Sequence, residues 1–91
     1  MIKTDVNLVQ GVFPVQQAKE VVLGLIAFKL KFHELEHLSQ KERFGAGSSH
    51  SENRIASLQG SYDEMVQLLG QLGDGDVVEI NSTIELMIKK N

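Results

Sequence analysis

Apolar residues recur every three or four positions through the middle of the chain and every second position near its ends. The first spacing is typical of helices with one apolar face, and the second is typical of strands with one buried face. The pattern therefore predicts a mainly α fold with a minor β part, in which two long helices lie between terminal strands. A chain of 91 residues forms one domain, because it is too short for two separate cores.

The helix boundaries are predicted by one proline and by the glycines. Proline suits the first turn of a helix, where its missing N–H costs nothing, so Pro14 predicts helix 1 over residues 14–44. The glycine-rich stretch 45–48 interrupts the helical spacing and predicts a loop. Helix 2 follows over residues 49–72, and Gly73 is placed to take the left-handed conformation that ends many helices.

Both ends of the chain are predicted to be short strands, over residues 1–13 and 76–89. From residue 78 to residue 88 the even positions are apolar except Ser82, and the odd positions are mostly polar. Two isolated strands are barely stable, so we expect them to pair with each other over the apolar half of helix 1, or with a second chain. An alternative for the second segment is a small hairpin that turns at Asn81 and Ser82, although this pair lacks the glycine preferred in such turns.

Each helix carries a seven-residue pattern that predicts a coiled-coil-like seam. The seam of helix 2 comprises Ile55, Leu58, Tyr62, Met65, Leu69 and Leu72. The seam of helix 1 comprises Ala18, Val21, Leu25, Phe28, Phe32 and Leu35. We expect the two helices to pack antiparallel along these seams, with Leu35 opposite Leu58 and Phe28 opposite Met65.

Helix 1 has more apolar surface than one neighbouring helix can cover. Large exposed apolar patches are uncommon on monomers, and the chain has no cysteine to support a small core with disulfides. We therefore expect a homo-oligomer, most simply a dimer in which two hairpins form a four-helix bundle. The same surface could instead receive a helix or strand of another protein. The residues expected at the interface are Val22, Leu23, Ile26, Leu30, Ile84 and Leu86.

One pentapeptide suggests chemistry, because residues 33–37 read His-Glu-Leu-Glu-His. Histidines four residues apart lie on the same face of a helix and can hold zinc, while the glutamate between them can activate a zinc-bound water. The segment resembles the zincin metalloproteases over these five residues of 91. The resemblance implies a zinc-dependent hydrolase with His33 and His37 as ligands and Glu34 as base.

The rest of the chain departs from the zincin pattern. Where one branch of that family has a glycine and then a third histidine, this chain has Gln40 and Arg43. Another branch uses a glutamate on a later helix, but Glu52 and Glu64 do not lie level with the histidines in the predicted register. Glu52 is expected opposite Lys41.

The predicted seam also turns the motif toward solvent. With Phe32 and Leu35 on the seam, His33, Glu34 and His37 lie on the outer face. His50 is expected on the order of 9 Å from His37 along the hairpin. An outer face provides no cleft that excludes water, so we expect no catalytic residues, no metal ligands and no cofactor. The residues that remain as metal candidates are His33, His37 and His50, with Glu34 as base, and a metal site between two copies is the remaining alternative.

Charge and targeting signals narrow the class of protein. A net charge of −3 and a pI near 5.5 provide no basic surface for nucleic acid. No apolar run approaches the length of a membrane span, and the first residues lack the pattern of a secretory signal. We expect a non-enzymatic structural or interaction protein of the cytoplasm, whose partner is a second copy or another protein, with no nucleic acid and no membrane.

Overall fold

The computed structural model describes residues 2–45 and 49–90. Within them the chain is mostly helical, with two helices and one two-stranded antiparallel sheet, which confirms the predicted mixture of elements. No helix in these ranges is long and apolar enough to cross a bilayer. The elements in chain order are β1 (Ile2–Pro14), α1 (Val15–Phe44), α2 (Ser49–Gly70) and β2 (Val77–Ile88).

Helix α1 begins directly after β1 and ends at a left-handed glycine. Pro14 precedes the first turn with a φ of −57°, close to the value that the proline ring imposes. At the other end Gly45 has a φ of 76°. Its N–H donates to the Lys41 carbonyl at 2.9 Å, which closes the last turn. The predicted loop begins at Gly45, and its remaining residues 46–48 lie outside the described ranges.

Helix α2 ends at Gly70 rather than at the predicted Leu72. Among the described residues Gly73 does not have a positive φ, so the predicted left-handed closure was wrong. The N–H of Gln71 instead donates to the Leu68 carbonyl three residues earlier, which tightens the last turn. The N–H of Gly73 then donates to the Asp76 carboxylate at 2.7 Å. An aspartate side chain therefore shapes the turn into β2.

The two strands form a long antiparallel ribbon. Pairing runs from Ile2 with Ile88 to Pro14 with Val77. Strand β2 continues through residues 81 and 82 without a turn, which excludes the alternative of a small hairpin there. The register shifts once, between Asn7 and Val9 of β1.

A bulge at Leu8 keeps most of the apolar residues of β1 on one face. Side chains alternate along a strand, so Phe13 and Ile2 would lie on opposite faces without an extra residue. Leu8 is that residue, because its two neighbours pair with consecutive residues of β2. Ile2 pairs with Ile88 and Phe13 pairs with Val78, on the same face of the ribbon.

The ribbon and the helices meet at one end of the molecule. Helix α1 has 30 residues and is about 45 Å long, and the ribbon is about 40 Å long. The longest dimension of the whole molecule is only 50 Å, so the ribbon does not continue the helix axis but is inclined to it. Val15 and Ala18 are buried at the junction, where α1 contacts both strands. In the part of the ribbon near this junction every second residue is half-buried. The part of the ribbon far from the helices is exposed.

Helix α2 uses its predicted seam, but α1 uses its own only at Ala18 and Val21. The five seam residues within α2, and Leu72 just after it, are all buried or half-buried, which confirms that prediction. In α1 the predicted seam is exposed along its second half, where Phe28 is 74 % exposed, Phe32 50 % and Leu35 57 %. The residues that α1 turns inward are Val15, Ala18, Val22, Ile26, Leu30, His33 and His37.

The prediction for α1 was therefore wrong by one position, which is about 100° around the helix. The reason is that α1 is apolar on two faces, and the seven-residue pattern marks only one of them. Leu30 lies on the same face of α1 as Val15 and Ala18, and the part of this face near Val15 lies against the ribbon. One face of α1 can thus contact both the ribbon and α2.

The predicted register of the two helices was also wrong, by about one turn. Glu52 was expected opposite Lys41, but its carboxylate lies 3.7 Å from His37. Ser51 likewise lies against Glu36. Helix α2 is therefore displaced by about four residues along α1, so that its first turn lies beside the histidine motif.

Replacing Gly45 with alanine tests the left-handed end of α1. An added Cβ would meet no atom within 4 Å, so the only cost is the backbone conformation. We expect Gly45→Ala to lower the free energy of unfolding by about 1–2 kcal/mol, measured by urea denaturation with circular dichroism. The control is Gly60→Ala inside α2, where there is also open space and alanine should stabilise the helix by up to about 1 kcal/mol. Equal effects of the two substitutions would contradict the assignment.

Candidate functional site

The histidine motif faces α2 instead of solvent. His33 is only 5 % exposed, and the centroid of its ring lies 6.4 Å from that of His50 on α2. His37 is half-buried. The predicted outward orientation of both histidines was wrong, because it followed from the predicted phase of α1. Glu34 is exposed, as predicted.

Polar side chains from both helices meet around these histidines. We call this group of side chains the interhelical polar site. Two contacts join the helices there. The hydroxyl of Ser51, a fully buried residue, donates to Glu36 Oε1 at 2.6 Å. His37 Nε2 lies 3.7 Å from Glu52 Oε1, a distance that gives an ion pair only when the imidazole is protonated. The site comprises His33, Glu36 and His37 of α1 with His50, Ser51 and Glu52 of α2.

His33 is the least satisfied polar residue of the site. Both of its ring nitrogens, and Nδ1 of His37, are buried without a hydrogen-bond partner in the described part of the chain. Burial, and after it the positive charge of Lys29, lower the pKa of His33 below its ordinary value of 6.5. The carboxylate of Glu36 opposes this shift, and Arg54 adds to it. The His33 imidazole is therefore neutral at neutral pH.

The predicted metal candidates come together only in part. His50 approaches His33, so its predicted separation from the motif was wrong. Glu34, the residue predicted as base, instead lines an open cleft of about 330 Å³ with Leu30, Gln59 and Tyr62. Within residues 2–45 and 49–90 no group of three or more His, Cys, Asp or Glu side chains is arranged to hold a metal ion. The likeness to zincins is therefore limited to the spacing of two histidines on a helix.

Sequence reasoning missed the contact between Ser51 and Glu36. A signal for it exists, because the seam of α2 extended backward by four residues from Ile55 reaches Ser51. A polar residue at a seam position requires a polar partner on the facing helix. Glu36 could not be named as that partner, because the register of α1 against α2 was predicted one turn away.

A second candidate surface lies on another face of α1, about 100° around the helix from the inward one. Four large side chains spaced by three and four residues are exposed there, and an open concavity of about 380 Å³ follows Phe28, Phe32 and Leu35. The Nζ atom of Lys29 lies 4.8 Å from the centroid of the Phe32 ring and covers part of it. We call this surface the outer α1 stripe, which consists of Leu25, Phe28, Phe32 and Leu35.

The residues predicted for the interface occupy three different environments. Leu30 is 8 % exposed and packs inside the hairpin, so its expected place on an outer face was wrong. Val22, Leu23 and Ile26 are half-buried. Ile84 and Leu86 are exposed on the far half of the ribbon. With their exposed apolar neighbours on the same face they form the outer ribbon face, which consists of Ile2, Val6, Ile84, Leu86 and Ile88.

Comparison with known proteins assigns no family to the chain. No protein family, curated protein or solved structure matches it significantly.

Replacing Ser51 with alanine tests the interhelical polar site. The substitution keeps the size of the side chain but leaves the part-buried Glu36 carboxylate without this donor. We expect the free energy of unfolding to fall by about 1–3 kcal/mol, measured by urea denaturation at neutral pH. Ser57→Ala is the control, because Ser57 lies on the exposed side of α2 and should change stability by less than about 0.5 kcal/mol. A Ser51→Ala variant as stable as this control would contradict the contact.

Proposed function

We propose that this chain is a non-enzymatic interaction protein that works as a homodimer, in which a second copy covers the outer α1 stripe and the outer ribbon face. The proposal follows from the amount of surface that the single chain leaves exposed, from its shape and from the spacing of its exposed apolar residues.

The exposed area is the observation that carries the proposal. The chain exposes 6957 Å². A folded monomer of 10.1 kDa is expected to expose only about 5,300 Å². The difference of about 1,700 Å² lies within the roughly 1,000–2,500 Å² that each subunit of an obligate dimer buries. A second copy of the chain would therefore bring the exposed area into the range of ordinary folded proteins.

The shape and the core support the same proposal. The radius of gyration is 16.6 Å, against about 12 Å expected for a compact chain of this length. Among the described residues the buried apolar side chains are those of Val15, Ala18, Leu30 and Leu69. So small a core, without disulfides, is weak support for a domain of this size.

The exposed apolar surfaces suit a copy of the same chain. The outer α1 stripe has the spacing of residues that pack between parallel or antiparallel helices. An apolar stripe is complementary to itself, which a twofold symmetric interface requires. Two hairpins joined along this stripe would form a four-helix bundle, as the sequence predicts, but through a different face of α1 from the one expected. The outer ribbon face extends the apolar surface beyond the bundle.

Introducing a charge into the outer α1 stripe tests the homodimer. We expect wild-type protein at micromolar concentration to sediment with twice the mass of 10.1 kDa. Phe28→Glu should increase the dissociation constant at least about a hundredfold, because it buries an unpaired carboxylate. Gln67→Glu is the control, since it adds the same charge to the exposed surface of α2 and should leave the mass unchanged.

Two outcomes would contradict this proposal. If the wild-type chain is folded and monomeric at micromolar concentration, a second copy does not cover the outer α1 stripe, and a different protein would have to cover it. A Phe28→Glu variant that dimerises as tightly as wild type would place the interface elsewhere.

A separate substitution tests the outer ribbon face. Threonine keeps a high preference for strands, so the double variant Ile84→Thr and Leu86→Thr removes apolar surface without breaking β2. We expect it to weaken the dimer about tenfold or more, which sedimentation equilibrium can measure. Glu85→Thr, on the opposite face of the same strand, is the control and should change the dissociation constant less than about threefold. Equal effects of the two variants would show that this face is not covered in the dimer.

A further inference from the structure

The environment of His33 is unusual for a residue that can carry a charge. Its side chain is almost fully buried between α1 and α2, and neither ring nitrogen has a hydrogen-bond partner among the described residues. A neutral imidazole has one N–H donor, whereas a protonated one has two, and both would then be buried without an acceptor. The packed state of the two helices therefore suits only the neutral form.

The charged groups around His33 reinforce this preference. On its own helix the nearest are Lys29 and Glu36, and on α2 they are His50 and Arg54. The two basic residues repel an added proton. Glu36 attracts the proton, but its carboxylate already accepts a hydrogen bond from the Ser51 hydroxyl. His50, across the contact on α2, also disfavours the protonated form of His33.

We propose that the contact of His33 with α2 is a proton-sensitive joint, which holds the two helices together while the imidazole is neutral and releases them in mildly acidic solution. The joint lies within one chain, so it acts whether or not the chain self-associates. The outer α1 stripe borders the joint, because the ring centroid of Phe32 lies 5.4 Å from that of His33.

The direction of the pH dependence follows from the same environment. Burial and the charge of Lys29 lower the pKa of His33 in the folded state relative to the unfolded state. The unfolded chain then binds more protons, so stability rises with pH. The stabilising contribution of His33 is fully present above pH 6.5, the ordinary pKa of the group, and is lost as the pH falls from there toward the lower pKa of the folded state.

The test compares the pH dependence of wild type with that of a variant that cannot titrate at this position. Unfolding by urea is followed at a fixed chain concentration between about pH 7.5 and about pH 5.5, where ordinary carboxylates remain ionised. EDTA is present so that no metal contributes. We expect the folding equilibrium constant of wild type to fall below pH 6.5 by up to about tenfold for each pH unit. In His33→Phe, which replaces the buried ring by an apolar one, this fall should be absent.

A control and a second measurement keep the test decisive. His50→Gln removes an exposed histidine of the same site, and its pH dependence should persist because His33 remains. If His33→Phe does not fold, His33→Met provides the same comparison with a flexible apolar side chain. Independently, nuclear magnetic resonance of the ring protons should give His33 a pKa below its ordinary value of 6.5. The proposal is overturned if wild-type stability does not change across this range, if the variant without His33 loses as much stability as wild type, or if the pKa of His33 is not below 6.5.

Discussion

The architecture depends on one constraint: α1 is apolar on two faces, and a single chain can cover only one of them. The ribbon and α2 share the face that runs from Val15 through Ala18 to Leu30. The other face, with Phe28 and Phe32, stays exposed. The large exposed area, the extended shape and the small core of the chain are all consequences of this unequal covering. A second copy is the simplest way to complete it, because an apolar stripe can pack against itself.

The same constraint decides where the polar residues lie. Because α2 takes the face of Leu30, the next residues on that face are His33 and His37, which enter the contact between the helices. Ser51 and Glu36 then bond across it at 2.6 Å, whereas His33 gains no such bond among the described residues. Burial of a polar group without a partner costs stability, and this cost would rise if the His33 imidazole were protonated.

The order of elements and the apolar face of the ribbon could be predicted from sequence, because Pro14, the glycines near residue 45 and the alternation in β2 are local signals. The seam of α2 was also predictable, because that helix has one apolar face. The phase of α1 was not predictable. Residues such as Phe28 and Phe32 follow the seven-residue spacing, but the spacing alone does not show whether their face meets α2 or stays exposed. The register, and with it the neighbours of His37, depended on how far the chain turns back after α1, which local spacing does not encode.

If α2 and a second copy of the chain cover two different faces of α1, nuclear magnetic resonance can detect this directly. A sample that mixes isotope-labelled and unlabelled chains reports only those proton contacts that join two different chains. We expect such contacts from the rings of Phe28 and Phe32, and none from Leu30, whose contacts lie within one chain. Contacts between chains from Leu30 but not from Phe28 and Phe32, or no contacts between chains at all, would contradict this expectation.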